Sequence, residues 1–156
     1  MSETEVYLKR QIDELKRELD RLKTNVPEVG GVWQDWTPTW TAYTTNPTIG
    51  NGSLYGRYCV IGRLLTAKIF IQFGSTSTAG SGAYSFTFPV SPNNYRLVSG
   101  VYRLRDTGGN LYQGGVEPFS ATFALIRDGG TYVTNATPFG FADQDIIGIE
   151  ISYEIA

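Results

Sequence analysis

The sequence predicts a mainly β protein in which an N-terminal α-helical coiled coil precedes a jelly-roll-like β-sandwich. Three observations carry this expectation. Apolar residues between positions 8 and 26 recur at alternating spacings of four and three. From Trp33 onward, short runs that alternate with period two replace any 3.6-residue period. Clusters of Gly, Pro and Asn separate those runs as turns.

The helical segment comes first. Leu8, Ile12, Leu15, Leu19, Leu22 and Val26 form a heptad seam, with Ile12, Leu19 and Val26 at a and the other three at d. Between them stand mostly Lys, Arg, Glu, Asp and Gln. So narrow a stripe suits self-association, whereas a helix docked on a globule shows a broader apolar face. Ser2 with Glu5 three residues on makes a capping-box signature, and Met1 with Val6 fits a hydrophobic staple. Pro27 ends the helix and Gly30-Gly31 makes a joint. The helix is therefore predicted over about residues 3 to 25, within an oligomerisation stalk at 1–29 that precedes a head at 30–156. β-Branched residues at a with Leu at d favour two strands, while Leu19 at a weakens that preference. The seam alone leaves dimer and trimer open. It is also short, so the head is expected to help hold the oligomer.

In the head, Ile147, Ile149, Ile151, Tyr153 and Ile155 face one way and Gly148, Glu150, Ser152 and Glu154 the other. Ala67, Ile69, Ile71 and Phe73 repeat the pattern over 66–73, with Phe70 pointing to a partly covered second face. Further strands are expected at 36–43, 54–61, 83–88, 97–104 and 119–126, with a weaker one at 132–133. Gly50-Asn51-Gly52, Gly108-Gly109-Asn110 and Asp128-Gly129-Gly130 supply turn residues that tolerate positive φ. Seven to nine short strands at this spacing indicate the sandwich.

Composition narrows the chemistry. The chain of 156 residues carries a net charge of -2, which lacks the basic footprint of a nucleic-acid binder. No apolar run is long enough to insert into a membrane as a helix. Cys59 is the sole cysteine and there is no histidine, which removes a disulfide within the chain, a histidine base and a histidine metal site. Cys59, inside a strand, reads as a small buried hydrophobe.

Glu150 and Glu154 share a strand face with Cα atoms about 13 Å apart, beyond the roughly 5–9.5 Å separation of glycosidase carboxylates. Asp143 and Asp145 flank a loop position, but a full oxygen cage for calcium is not visible. The expectation is no catalytic residue, no cofactor and no metal. Trp33, Trp36 and Trp40 are the candidate ligand or collar residues. Exposed, they would stack on sugar rings. The face that Trp36, Pro38 and Trp40 share in an extended segment favours a packed collar instead. Tyr55, Tyr95, Tyr112 and Tyr132 stand in or near turns and form a second candidate contact surface.

The head opens with Trp36-Thr37-Pro38-Thr39-Trp40-Thr41. Gly50-Asn51-Gly52-Ser53, Gly56-Arg57-Tyr58, Val60-Ile61-Gly62-Arg63 and Phe86-Thr87-Phe88-Pro89 follow in that order. This arrangement, over roughly residues 33 to 90, resembles a domain of tail fibre, minor tail and other virion proteins of tailed bacteriophages. The resemblance implies a homotrimer with a coiled-coil stalk and a β-rich, receptor-binding head. It implies a short tail fibre, spike or tail-tip component, made in the bacterial host cytoplasm and carried on the tail or capsid surface. Its partners would be other virion proteins and a host cell-surface glycan or protein. The coiled coil starts at the first residues, where long fibres carry a large docking region. That departure raises the alternative of a capsid or tail decoration subunit, a head fibre without a host ligand.

Overall fold

A computed structural model describes residues 1–25, 31–127 and 130–156. Val26 of the seam, Pro27, Gly30 and the Asp128-Gly129 turn fall outside the described residues, as does the side chain of Leu22. The chain divides into two compact units, Met1–Gly31 and Val32–Ala156.

Among its described residues, the first unit has one helix, α1 (Glu3–Asn25). Its N-terminus is closed by the reciprocal bonds that the Ser2 and Glu5 spacing predicts. The Glu5 N–H donates to Ser2 Oγ at 3.2 Å, and the Ser2 N–H donates to Glu5 Oε2 at 2.6 Å. Leu8, Ile12, Leu15 and Leu19 are each more than half exposed.

Among the described residues, the second unit has nine strands: β1 (Gln34–Trp36), β2 (Trp40–Ala42), β3 (Ser53–Ile61), β4 (Leu64–Gln72), β5 (Tyr84–Thr87), β6 (Ser99–Arg105), β7 (Leu111–Pro118), β8 (Thr122–Ile126) and β9 (Ile146–Glu154). They pair antiparallel in a single curled sheet of order β1-β3-β4-β9-β6-β7-β8-β5-β2. A sandwich would divide these strands into two sheets, whereas here the hydrogen bonding runs through all nine. Glycines let strands cross closely where the sheet bends. A Cβ on Gly114 would come within 2.7 Å of the Tyr102 ring, and one on Gly100 within 2.6 Å of Ile151 Cγ2.

The two edge strands are consecutive in sequence. The segment expected as one strand, 36–43, splits because Pro38 offers no N–H to a ladder and biases the residue before it. Residues 37–39 instead carry the chain from one edge of the sheet to the other. Four residues of chain reach at most about 14 Å, so the edges close to within that distance.

Alternation along β4, β6 and β9 buries Leu65, Ile69, Ile71, Tyr102, Leu104, Ile147 and Ile151 inside the curl. At the centre, the Trp40 ring meets Phe73 edge-on at 5.5 Å and Tyr84 at 5.2 Å, and stacks on Phe86 at 6.3 Å. Burial raises the pKa of the Tyr84 phenol, whose O–H donates to the Ala79 carbonyl at 2.8 Å. Burial likewise pushes Tyr153 up to about 12, with its O–H donating to the Val90 carbonyl at 2.7 Å.

Candidate functional site

The alternation that buries Ile69, Tyr102 and Ile149 presents their neighbours on the outer face. Antiparallel register aligns those neighbours in rows across five strands. One row is Tyr55, Phe70, Gly148, Arg103 and Gln113. The next is Arg57, Lys68, Glu150, Val101 and Gly115. Between and above these rows lies an open groove of about 990 Å³.

One wall of the groove is aromatic. Tyr55 and Phe70, cross-strand partners, stack with ring centroids 5.1 Å apart. Trp33, just before β1 and 39% exposed, stands beside them. The Arg57 guanidinium and the Lys68 ammonium each lie 5.9 Å from the centre of its ring, within cation–π range.

Charge is distributed unevenly. Lys68 pairs with Glu150 at 3.4 Å and Arg57 with Asp35 at 3.0 Å. All four side chains are at least half exposed, so each pair is worth about 1 kcal/mol at most. Arg103, on the opposite wall, has no ion-pair partner among the described residues. The groove thus joins a flat aromatic surface to an unpaired guanidinium, with the Gln113 amide beside it. Such a combination can stack on a ring and hold an anion.

The sequence candidates are dispersed. Trp33 lines the groove. Trp36 is partly buried and lies against Gly56, where a Cβ would meet its ring at 2.6 Å. Trp40 is 7% exposed and belongs to the core, so the three tryptophans form no common platform. Of the four tyrosines, Tyr55 enters the groove. Tyr112 stacks on Phe139 at 5.2 Å, and Tyr95 lies under Arg96. Tyr132 bridges to Ile126. Phe70, Arg103, Gln113 and Gly148 join the groove without being candidates on sequence grounds. The outward Phe70 is the sequence signal for this face, but which residues join it is decided by strand register.

Asp145 is 1% exposed, and its carboxylate is filled by protein donors: the Thr107 N–H at 2.8 Å, the Thr107 hydroxyl at 2.7 Å and the Ala142 N–H at 2.6 Å. It is a clasp between loops. Glu150 and Glu154 take Lys68 and Arg63 as their partners. Among the described residues, no group of three or more metal-ligating side chains converges, and no helix is long and apolar enough to cross a membrane. Cys59 is buried.

No protein-family model, no curated protein and no solved structure matches this chain. The chemistry of the groove and the apolar row on α1 therefore carry the functional reading.

Proposed function

We propose that this chain is a structural protein of a phage virion, a homotrimeric short tail fibre, spike or tail-tip component. In this reading α1 forms a coiled-coil stalk. The β unit is a head that binds a host surface or a neighbouring virion protein. One observation carries the proposal: Leu8, Ile12, Leu15 and Leu19 make a narrow apolar row that α1 alone leaves exposed. Burying each of these side chains is worth about 1.5–3 kcal/mol, and the partner with a matching stripe is another copy of the same helix. The resemblance of the Trp36–Thr41 entry to phage virion domains supports three copies and a place on the particle.

Sedimentation equilibrium of the full chain tests the stalk. A trimer at micromolar concentration is expected, and a monomer overturns the proposal. Imaging labelled protein on intact particles separates a tail-tip position from the decoration role on the capsid.

A further inference from the structure

We infer that the groove takes a carboxylate-bearing sugar, with the ring over a glycine floor and the acid group at Arg103. The inference deepens the host-surface reading of the head by naming the ligand class, and it rests on that reading for the source of the sugar.

The floor is the first observation. Gly148 and Gly115 occupy outward positions in β9 and β7. A Cβ on Gly148 would meet nothing nearer than the Arg103 carbonyl oxygen at 3.9 Å. On Gly115 the nearest atom would be the Gly100 carbonyl oxygen at 3.8 Å. Neither residue has a positive φ. The fold has room for a side chain at both places, in contrast to Gly56, Gly100 and Gly114, where one would collide. Glycine inside a strand weakens it, and one use for it is to let a ligand approach the backbone closely.

The walls fix the ligand class. Phe70 stands in the row between Tyr55, which stacks on one face of its ring, and Gly148, so its other face is left for the C–H face of a sugar ring. Beyond Gly148 in that row stand Arg103 and Gln113. An unpaired guanidinium matches a carboxylate with two parallel hydrogen bonds, and an amide suits neighbouring hydroxyls. Arg57 and Lys68 are balanced by Asp35 and Glu150, so Arg103 gives the groove its one excess positive charge, on a chain whose net charge is -2. A locally positive groove on a negative molecule selects an anion. Its volume of about 990 Å³ suits a small ligand.

The full chain should be applied to an array of uronic-acid, sialic-acid and neutral glycans, and the best ligand titrated by calorimetry. Acidic glycans should be retained, with their neutral counterparts weaker by roughly tenfold or more. Arg103→Gln, an exposed change, should remove that preference. Gly148→Trp should fill the floor and abolish binding, while Gly148→Ala keeps the fold. Each sample is also sedimented. The inference is overturned if no acidic glycan binds, if neutral glycans bind equally, or if Arg103→Gln or a folded Gly148→Trp binds as the parent does. It is overturned too if Gly148→Trp breaks up the oligomer, which would make the groove a contact between copies. A monomer that binds acidic sugar would remove the fibre reading and leave the groove. A trimer that binds none would do the reverse.

Discussion

The Asp145 carboxylate accepts both the backbone N–H and the hydroxyl of Thr107, at 2.8 and 2.7 Å, and so ties the turn after β6 to the start of β9. With the Ala142 N–H as a third donor, this buried acid is held by hydrogen bonds alone. Asp145→Ala would leave three donors without their acceptor; Thr107 and Ala142 are themselves exposed, so water takes up part of the loss and each bond is worth about 0.5–1.5 kcal/mol. We expect a loss of about 2–4 kcal/mol in urea unfolding. Asp145→Asn should fall between, since one oxygen remains. A loss below about 1 kcal/mol would show that the two turns are joined by other means.

Gly56 and Gly148 should respond in opposite directions to the same change. In Gly56→Ala the new methyl meets Trp36 Cε3 at 2.6 Å and Cζ3 at 3.0 Å, so the indole must move. Overpacking of this kind costs about 1–3 kcal/mol, and tryptophan emission should shift red as Trp36 leaves its seat. Gly148→Ala places its methyl at ordinary contact distance, 3.9 Å from the Arg103 carbonyl oxygen, in a backbone conformation alanine accepts, and should stabilise by about 0.4–1 kcal/mol. Equal effects at the two sites would contradict the outward placement of Gly148.

The stalk proposal predicts that Leu15→Asp with Leu19→Asp converts the oligomer to monomers. Each side chain removed from a buried seam forfeits about 1.5–3 kcal/mol per chain, before the cost of placing a charge there. Far-ultraviolet circular dichroism of the β unit should persist while the sedimentation coefficient falls. Ser2→Ala, which deletes one half of the capping box, should lower helix stability by only about 1 kcal/mol. Unchanged sedimentation of the double variant would remove the coiled coil.

Alkaline stability follows from the buried phenols. Both Tyr84 and Tyr153 have folded pKa values raised above the ordinary phenol value of 10.0, Tyr153 to about 12. The folded state therefore holds its phenolic protons longer than the unfolded chain. Stability is complete below about pH 10 and declines as the pH rises toward 12 and beyond, when only the unfolded chain ionises readily. Tyr153 alone contributes on the order of 1–3 kcal/mol to this decline, because each tenfold difference in proton affinity between the two states is worth about 1.4 kcal/mol. Tyr153→Phe should flatten the profile between about pH 10 and 12 in a pH series of thermal melts. An identical slope would place the sensitivity elsewhere.

Much of the fold is legible in the residues. The cap at Ser2 and Glu5, the span of α1, and the strands carrying Ile69, Ile149 and their alternating partners all follow from local pattern. β7 has no counterpart among the expected strands, because Gly114, Gly115 and Pro118 are residue types depleted in strands. Gly114 is there for the Tyr102 ring, a partner on another strand that no local window contains. The single sheet is hidden for the same reason. Whether strands join one sheet or two is decided by long-range register, such as Arg103 opposite Gly148, while alternation is common to both outcomes. The groove lies at the end of that chain of dependence. Its aromatic and cationic residue types are visible in sequence, but their meeting in two rows is a property of five aligned strands.

Both margins of the sheet, β1 and β2, are three residues long. Unpaired strand margins are where one chain can template the addition of another, and shortness is a means of preventing it. Margins this small offer an incoming strand little of a ladder to extend. Heads packed at high local density would thus resist merging into amyloid-like stacks, a hazard that β-rich domains otherwise meet whenever many copies are held together.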